Sequence, residues 1–150
     1  MLIGHHPIYS HALVACQFSG IVLACWPVGL LNRGSPWALV LCAIGTALGL
    51  YTLWHNPVGN FSVYPEVKPK ARLITSGPYR YIRHPMYSAL MLMMPGIALY
   101  NGHWLNSVGL LLVVLAVINK ARLEEQLLPA LFPQYADYAT HTKRFVPWVY

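Results

Sequence analysis

PWALVLCAIGTALGLYTLW runs from Pro36 to Trp54 without a charged side chain. A helix needs about 20 apolar residues to cross the hydrocarbon core of a bilayer. This stretch therefore reads as a membrane span rather than as part of a soluble core. A second charge-free run, Ala12 to Leu31, precedes it. Met86 to Tyr100 and Trp104 to Ile118 are shorter uncharged runs. The last continues as helix from Asn119 to Leu128, because Ala121, Leu123, Glu124, Glu125 and Gln126 are good helix formers. The expectation is an all-α integral membrane protein with about four transmembrane helices.

Composition agrees. The 150 residues are 57% hydrophobic and 9% charged, against roughly 25% charged in a soluble domain. One compact unit, residues 1–150, is expected. It divides into a helical hairpin at 12–54, a polar connector at 55–85, a second hairpin at 86–128 and a tail at 129–150. The first run does not read as a cleaved signal peptide, because residues 1–11 hold no Lys or Arg and the apolar run is too long.

The net charge is +6 and unevenly spread. Arg33 alone lies between the first two spans. Lys68, Lys70, Arg72, Arg80, Arg83, Lys120, Arg122, Lys143 and Arg144 fall in the connector or toward the C-terminus. The positive-inside rule then places the connector and both termini in the cytoplasm, for a bacterium at the inner membrane. The same topology accounts for the basic charge without nucleic acid. Cys16, Cys25 and Cys42 lie in apolar runs with no zinc-type spacing, which reads as small core residues. The His residues form no HExxH pattern. No metal is expected.

The stretch Thr75 to Tyr87 holds Pro78, Pro85, three Tyr, Arg80, Arg83 and His84 beside a membrane helix. Polar groups in that position are costly unless they meet a ligand. Pro85 suits the first position of a helix, whose free N–H groups and positive dipole end favour an anionic group. Tyr79 and Tyr87 flank that point. Lys120, Glu124 and Glu125 gather at the far end of the fourth helix, Lys120 and Glu124 on one face. Phe61, Val63, Tyr64, Leu73 and Ile74 give the connector apolar anchors, so it is expected to fold back as a cap over a pocket. The aromatic tail, Tyr135 to Tyr150, either lies in the interfacial belt or helps to close that pocket. Glu124 for an ammonium, the helix start for a carboxylate and Tyr rings for a base together match S-adenosylmethionine.

These residues resemble the isoprenylcysteine carboxyl methyltransferase family, with its small bacterial relatives and the phospholipid N-methyltransferases. The likeness covers Asn60 to Pro147. It is carried by Asn60-Phe61-Ser62, Leu73 to Tyr79, Arg83-His84-Pro85-Met86-Tyr87, Glu124-Glu125, Phe132, Tyr135, Tyr138, Arg144 and Pro147. The first two helices match only as hydrophobic spans. The resemblance implies S-adenosyl-L-methionine held by Leu73, Ile74, Tyr79, His84, Pro85, Tyr87, Glu124 and Glu125. Arg83 and Lys120 would face the acceptor as catalytic residues. The implied acceptor is a lipophilic small molecule or lipidated substrate: the carboxylate of an isoprenylcysteine-like compound, or another lipid carboxylate, amine or thiol. Membrane lipids are the other expected partners. Ala71, Tyr64 and Ser88-Ala89 depart from the family pattern and bear on substrate choice. An NADPH-dependent lipid reductase is the enzymatic rival, disfavoured by His84-Pro85-Met86-Tyr87. A non-catalytic membrane scaffold is the rival from another class.

Overall fold

A computed structural model describes residues 7–26, 34–56, 59–68 and 70–149. Among these residues five α-helices follow one another: α1 (Pro7–Cys25), α2 (Ala38–His55), α3 (Pro85–Asn101), α4 (Trp104–Leu131) and α5 (Tyr135–His141). A 3-10 turn, Gly77–Arg80, lies in the connector. Among the described residues there is no strand, only a parallel bridge between Ile82 and Lys143. By length and composition α1, α2 and α4 suit membrane crossing, and α3 has 17 residues. Their outer faces carry exposed Val22, Ile44, Leu111 and Leu115. Such apolar area would be a liability in water but is the surface that lipid wets. The protein is an all-α integral membrane protein.

α1 begins at Pro7, five residues before the expected Ala12, and ends at Cys25. Pro27 explains the early end, because a residue before proline is pushed out of helical backbone. Leu31 and Arg33, like His5, His6 and Tyr150, lie outside the described residues. Cys16, Cys25 and Cys42 are partly exposed on the helix faces rather than buried in the core.

The helix pairing corrects the expectation of two sequential hairpins. α1 lies chiefly against α4, and α2 against α3, while α3 also touches α1 and α4. Small residues decide this, because association in lipid favours close backbone approach. A Cβ on Gly109 would come 2.3 Å from the Ala24 nitrogen and 2.6 Å from the Gly20 carbonyl, so nothing larger fits. Gly45 meets Met93 and Ala89 in the same way. Polar caps fasten the α1–α4 pair. Asn106, fully buried, donates from Nδ2 to the carbonyls of Leu23 (3.0 Å), Ala24 (3.1 Å) and Trp26 (2.6 Å). Those carbonyls end α1 and have no partner within it. The connector, the tail and the C-terminal part of α4 gather at the opposite end.

Candidate active site

Because α1 and α2 lean on different partners, a cleft opens between them, roofed by the connector. It is a cavity of about 630 Å³. Its wall within the helices is apolar, with Phe18, Leu50, Leu53, Leu90 and Met93. Its cap is polar, with Asn56, Asn60, Tyr79, Tyr87, Tyr138 and Glu124.

The cap is built on the start of α3. Pro85 takes the first helical position and His84 precedes it, without capping through its side chain. The His84 ring turns instead to two carboxylates. Nδ1 lies 3.4 Å from Glu124 Oε2, and Nε2 lies 3.1 Å from Glu125 Oε1. A histidine with a carboxylate at each nitrogen is held best as a doubly protonated imidazolium. Burial pulls its pKa down, but Glu124 and Glu125 outweigh burial and leave it above its ordinary value.

Glu125 ties together three segments. Arg83 Nε donates to Oε1 at 3.0 Å, and Arg144 donates to Oε2 from Nε at 3.0 Å and Nη2 at 2.5 Å. Arg83 Nη1 also donates to the carbonyls of Ala139 and Thr142, at 3.0 and 2.5 Å. The backbone repeats the link: Arg83 N donates to Lys143 O at 2.8 Å and Lys143 N to Tyr81 O at 3.1 Å. Ser88, one of the departures from the family pattern, donates from its hydroxyl to Phe145 O at 2.6 Å. The tail is thereby strapped across the connector just before α3.

Glu124 accepts from the Tyr87 hydroxyl and faces the cavity. Tyr79 accepts from Asn56 Nδ2 at 2.8 Å, and Asn56 Oδ1 accepts from Asn60 Nδ2 at 2.8 Å. Asn60 Oδ1 in turn accepts from Arg72 N at 2.8 Å, which fixes the connector over α2. Tyr138 donates to the Tyr79 carbonyl at 2.6 Å. Burial pushes Tyr79 and Tyr138 up to about 12, so both remain neutral phenols near neutrality. The Tyr135 hydroxyl is buried against the cavity with no hydrogen-bond partner among the described residues.

The structure brings Leu73, Ile74, Tyr79, Arg83, His84, Pro85, Tyr87, Lys120 and Glu124 onto one cavity wall. Glu125 is not among the lining residues and is occupied by its three cationic partners. Lys120 and Glu124 share a face but not an ion pair. Lys120 turns to Gln17 and Val63, and Glu124 to Tyr87 and His84. Ala71 and Tyr64 both line the cavity, and Tyr64 meets the His11 ring edge-on at 5.0 Å. Gln17 and Asn56 are lining residues that sequence reasoning passed over. A glutamine inside a charge-free apolar run was the available signal for the first.

These side chains fit S-adenosylmethionine. Glu124 offers a carboxylate to an ammonium, and the first turn of α3 offers unpaired N–H groups to a carboxylate. Among the described residues no group of three His, Cys, Asp or Glu is placed to hold a metal.

Fold and site together define a helical membrane protein with a polar cap over an apolar cleft. The profile of the phospholipid methyltransferase family matches residues 34–135, and the chain belongs to that family. Two curated relatives are similar. One is the cobalt-zinc-cadmium resistance protein CzcN of Cupriavidus metallidurans, 31% identical over 115 residues, covering 75% of this chain and 50% of that protein. The other is the nickel-cobalt-cadmium resistance protein NccN of Alcaligenes xylosoxydans xylosoxydans, 31% identical over 132 residues, covering 85% and 62%. The chain thus spans half of one relative and under two thirds of the other.

Proposed function

We propose that the chain transfers a methyl group from S-adenosyl-L-methionine to a lipophilic acceptor at a membrane. The acceptor is the carboxylate of an isoprenylcysteine-like compound or another lipid carboxylate, amine or thiol. The setting is the bacterial inner membrane, with the site and both termini cytoplasmic. The observation that carries this reading is a single cavity joining an acidic, aromatic cap to an apolar cleft between helices. The two halves suit a polar cofactor and a greasy acceptor meeting end to end. When bound, the cofactor supplies an already activated methyl group. The chain's own part is to position and to exclude water. Glu124, aligned by His84 and Tyr87, holds the ammonium end. Leu73, Ile74, Tyr79, Pro85 and Tyr87 enclose the rest, and Glu125 keeps Arg83 and the tail closed over it. Lys120, and the outer edge of Arg83, face the acceptor.

Calorimetry of the detergent-purified chain tests the reading. S-adenosylmethionine and its demethylated product are expected to bind saturably, and Glu124→Ala to weaken both by about tenfold or more, as loss of a charged hydrogen bond does. Binding of NADPH alone would sink methyl transfer in favour of lipid reduction. Binding of none would favour a scaffold. Metal tolerance belongs to the relatives' names; for this chain it is a growth experiment on zinc, cobalt or cadmium.

A further inference from the structure

Every buried charge around the cap but one has an opposite charge beside it. Glu125 meets Arg83, His84 and Arg144, and Glu124 meets His84. Lys120 has no ion-pair partner: among the described residues no carboxylate lies within 4.0 Å of its ammonium, and Glu124 acts on it only from farther off. Yet it is 2% exposed, lines the cavity and stands on a membrane helix. A buried cation is costly unless a counter-charge accompanies it. Its Nζ donates to Gln17 Oε1 and to Val63 O, both at 2.6 Å. Both acceptors are neutral. They solvate the ammonium without neutralising it, and one of its three N–H bonds remains for a further acceptor. The Tyr87 ring, 5.6 Å away, adds only its face.

Gln17 completes the picture. With its oxygen turned to Lys120, its Nε2 amide has no partner among the described residues, while the side chain lines the same cavity. It belongs to α1, outside the family-matched residues 34–135.

We propose that Lys120 and Gln17 form a subsite for a lipidic oxyanion, and that Gln17 makes the cavity prefer an anionic amphiphile over a neutral or cationic one. The oxyanion supplies the counter-charge that the ammonium lacks, and the Gln17 amide gives it a second donor. That the occupant is the methyl acceptor rests on the methyl-transfer reading; the subsite itself does not. A carboxylate and a phosphate share this chemistry, and apolar Phe18, Leu50 and Leu53 beside the subsite take the chain.

The test is direct binding to the detergent-purified chain of oleate, oleyl phosphate, oleyl alcohol and oleylamine, with S-adenosylhomocysteine titrated in parallel. One of the two oxyanions is expected to bind about tenfold more tightly than the alcohol and the amine, and which one does so identifies the source. Gln17→Leu should erase most of that preference while leaving S-adenosylhomocysteine affinity unchanged. Gln17→Glu is the sharper variant, because it places a near-isosteric carboxylate on Lys120. It should raise the melting temperature and abolish the preference, a pair of effects that loss of folding does not produce. Equal binding of all four amphiphiles by the wild-type chain would overturn the subsite. So would a preference that survives Gln17→Glu. If S-adenosylhomocysteine fails to bind while the oxyanion preference holds, the methyl-transfer reading fails and the subsite stands.

Discussion

At the scale of single residues, Glu124 and Glu125 are neighbours with different tasks. Glu124 lines the cavity, whereas Glu125, 14% exposed, gathers Arg83, His84 and Arg144. Removing one partner from a buried charge cluster costs about 3 kcal/mol or more, since the others are left uncompensated. Glu125→Gln is therefore expected to lower the melting temperature clearly, and to loosen the tail enough that a protease cuts within residues 132–149. A variant as stable and as resistant as the wild type would remove Glu125 from this role. His84 carries a pH dependence. Its folded pKa is raised by the two carboxylates. Its contribution is fully present below the unfolded value of about 6.5 and is lost as pH rises through the folded value. Stability should fall as pH climbs upward from about 6, and His84→Gln should flatten that slope. Arg83 and Arg144 keep Glu125 occupied, so the loss concerns chiefly the link to Glu124. An unchanged slope in the variant would place the titration elsewhere.

At the scale of elements, close approach of small residues sets which helices meet. Gly109→Val puts side-chain atoms where the α1 backbone already lies, and roughly 1–3 kcal/mol of destabilisation is expected for such overpacking. Thermal unfolding in detergent measures it; a neutral outcome would mean that α1 and α4 are not in contact there. The spans themselves were legible, because a charge-free run of some twenty residues has few other meanings. Their pairing was not. Hydrophobic runs look alike on every face, and Gly20, Gly45 and Gly109 became informative only once their neighbours were known. The cap was half legible. Arg83, His84, Tyr87 and Glu124 announced themselves as polar groups beside lipid. Gln17 stood out only as a glutamine inside an apolar run and Asn56 not at all, since nothing in the chain near either residue indicates what it will face across the cavity. The tail's link to Glu125 was hidden for the same reason: Arg144 lies 19 residues further along the chain.

At the scale of the whole molecule, the fold separates its polar chemistry from its lipid-facing surface. Connector, tail, the start of α3 and the end of α4 form one polar end; at the other, Asn101 of α3 and Asn106 of α4 both donate to carbonyls where α1 ends. The cavity crosses that division, from Glu124 down to Phe18 and Met93. A scaffold has no need of such a passage, whereas a methyltransferase acting on membrane molecules requires one. The measurement that bears most directly on this is incubation of the purified chain with S-adenosylmethionine labelled in its methyl group and extracted bacterial membranes. Label is expected to enter the lipid-soluble fraction, and Glu124→Ala to abolish the incorporation. No incorporation by wild-type protein that nonetheless binds NADPH, or incorporation undiminished by Glu124→Ala, would contradict it.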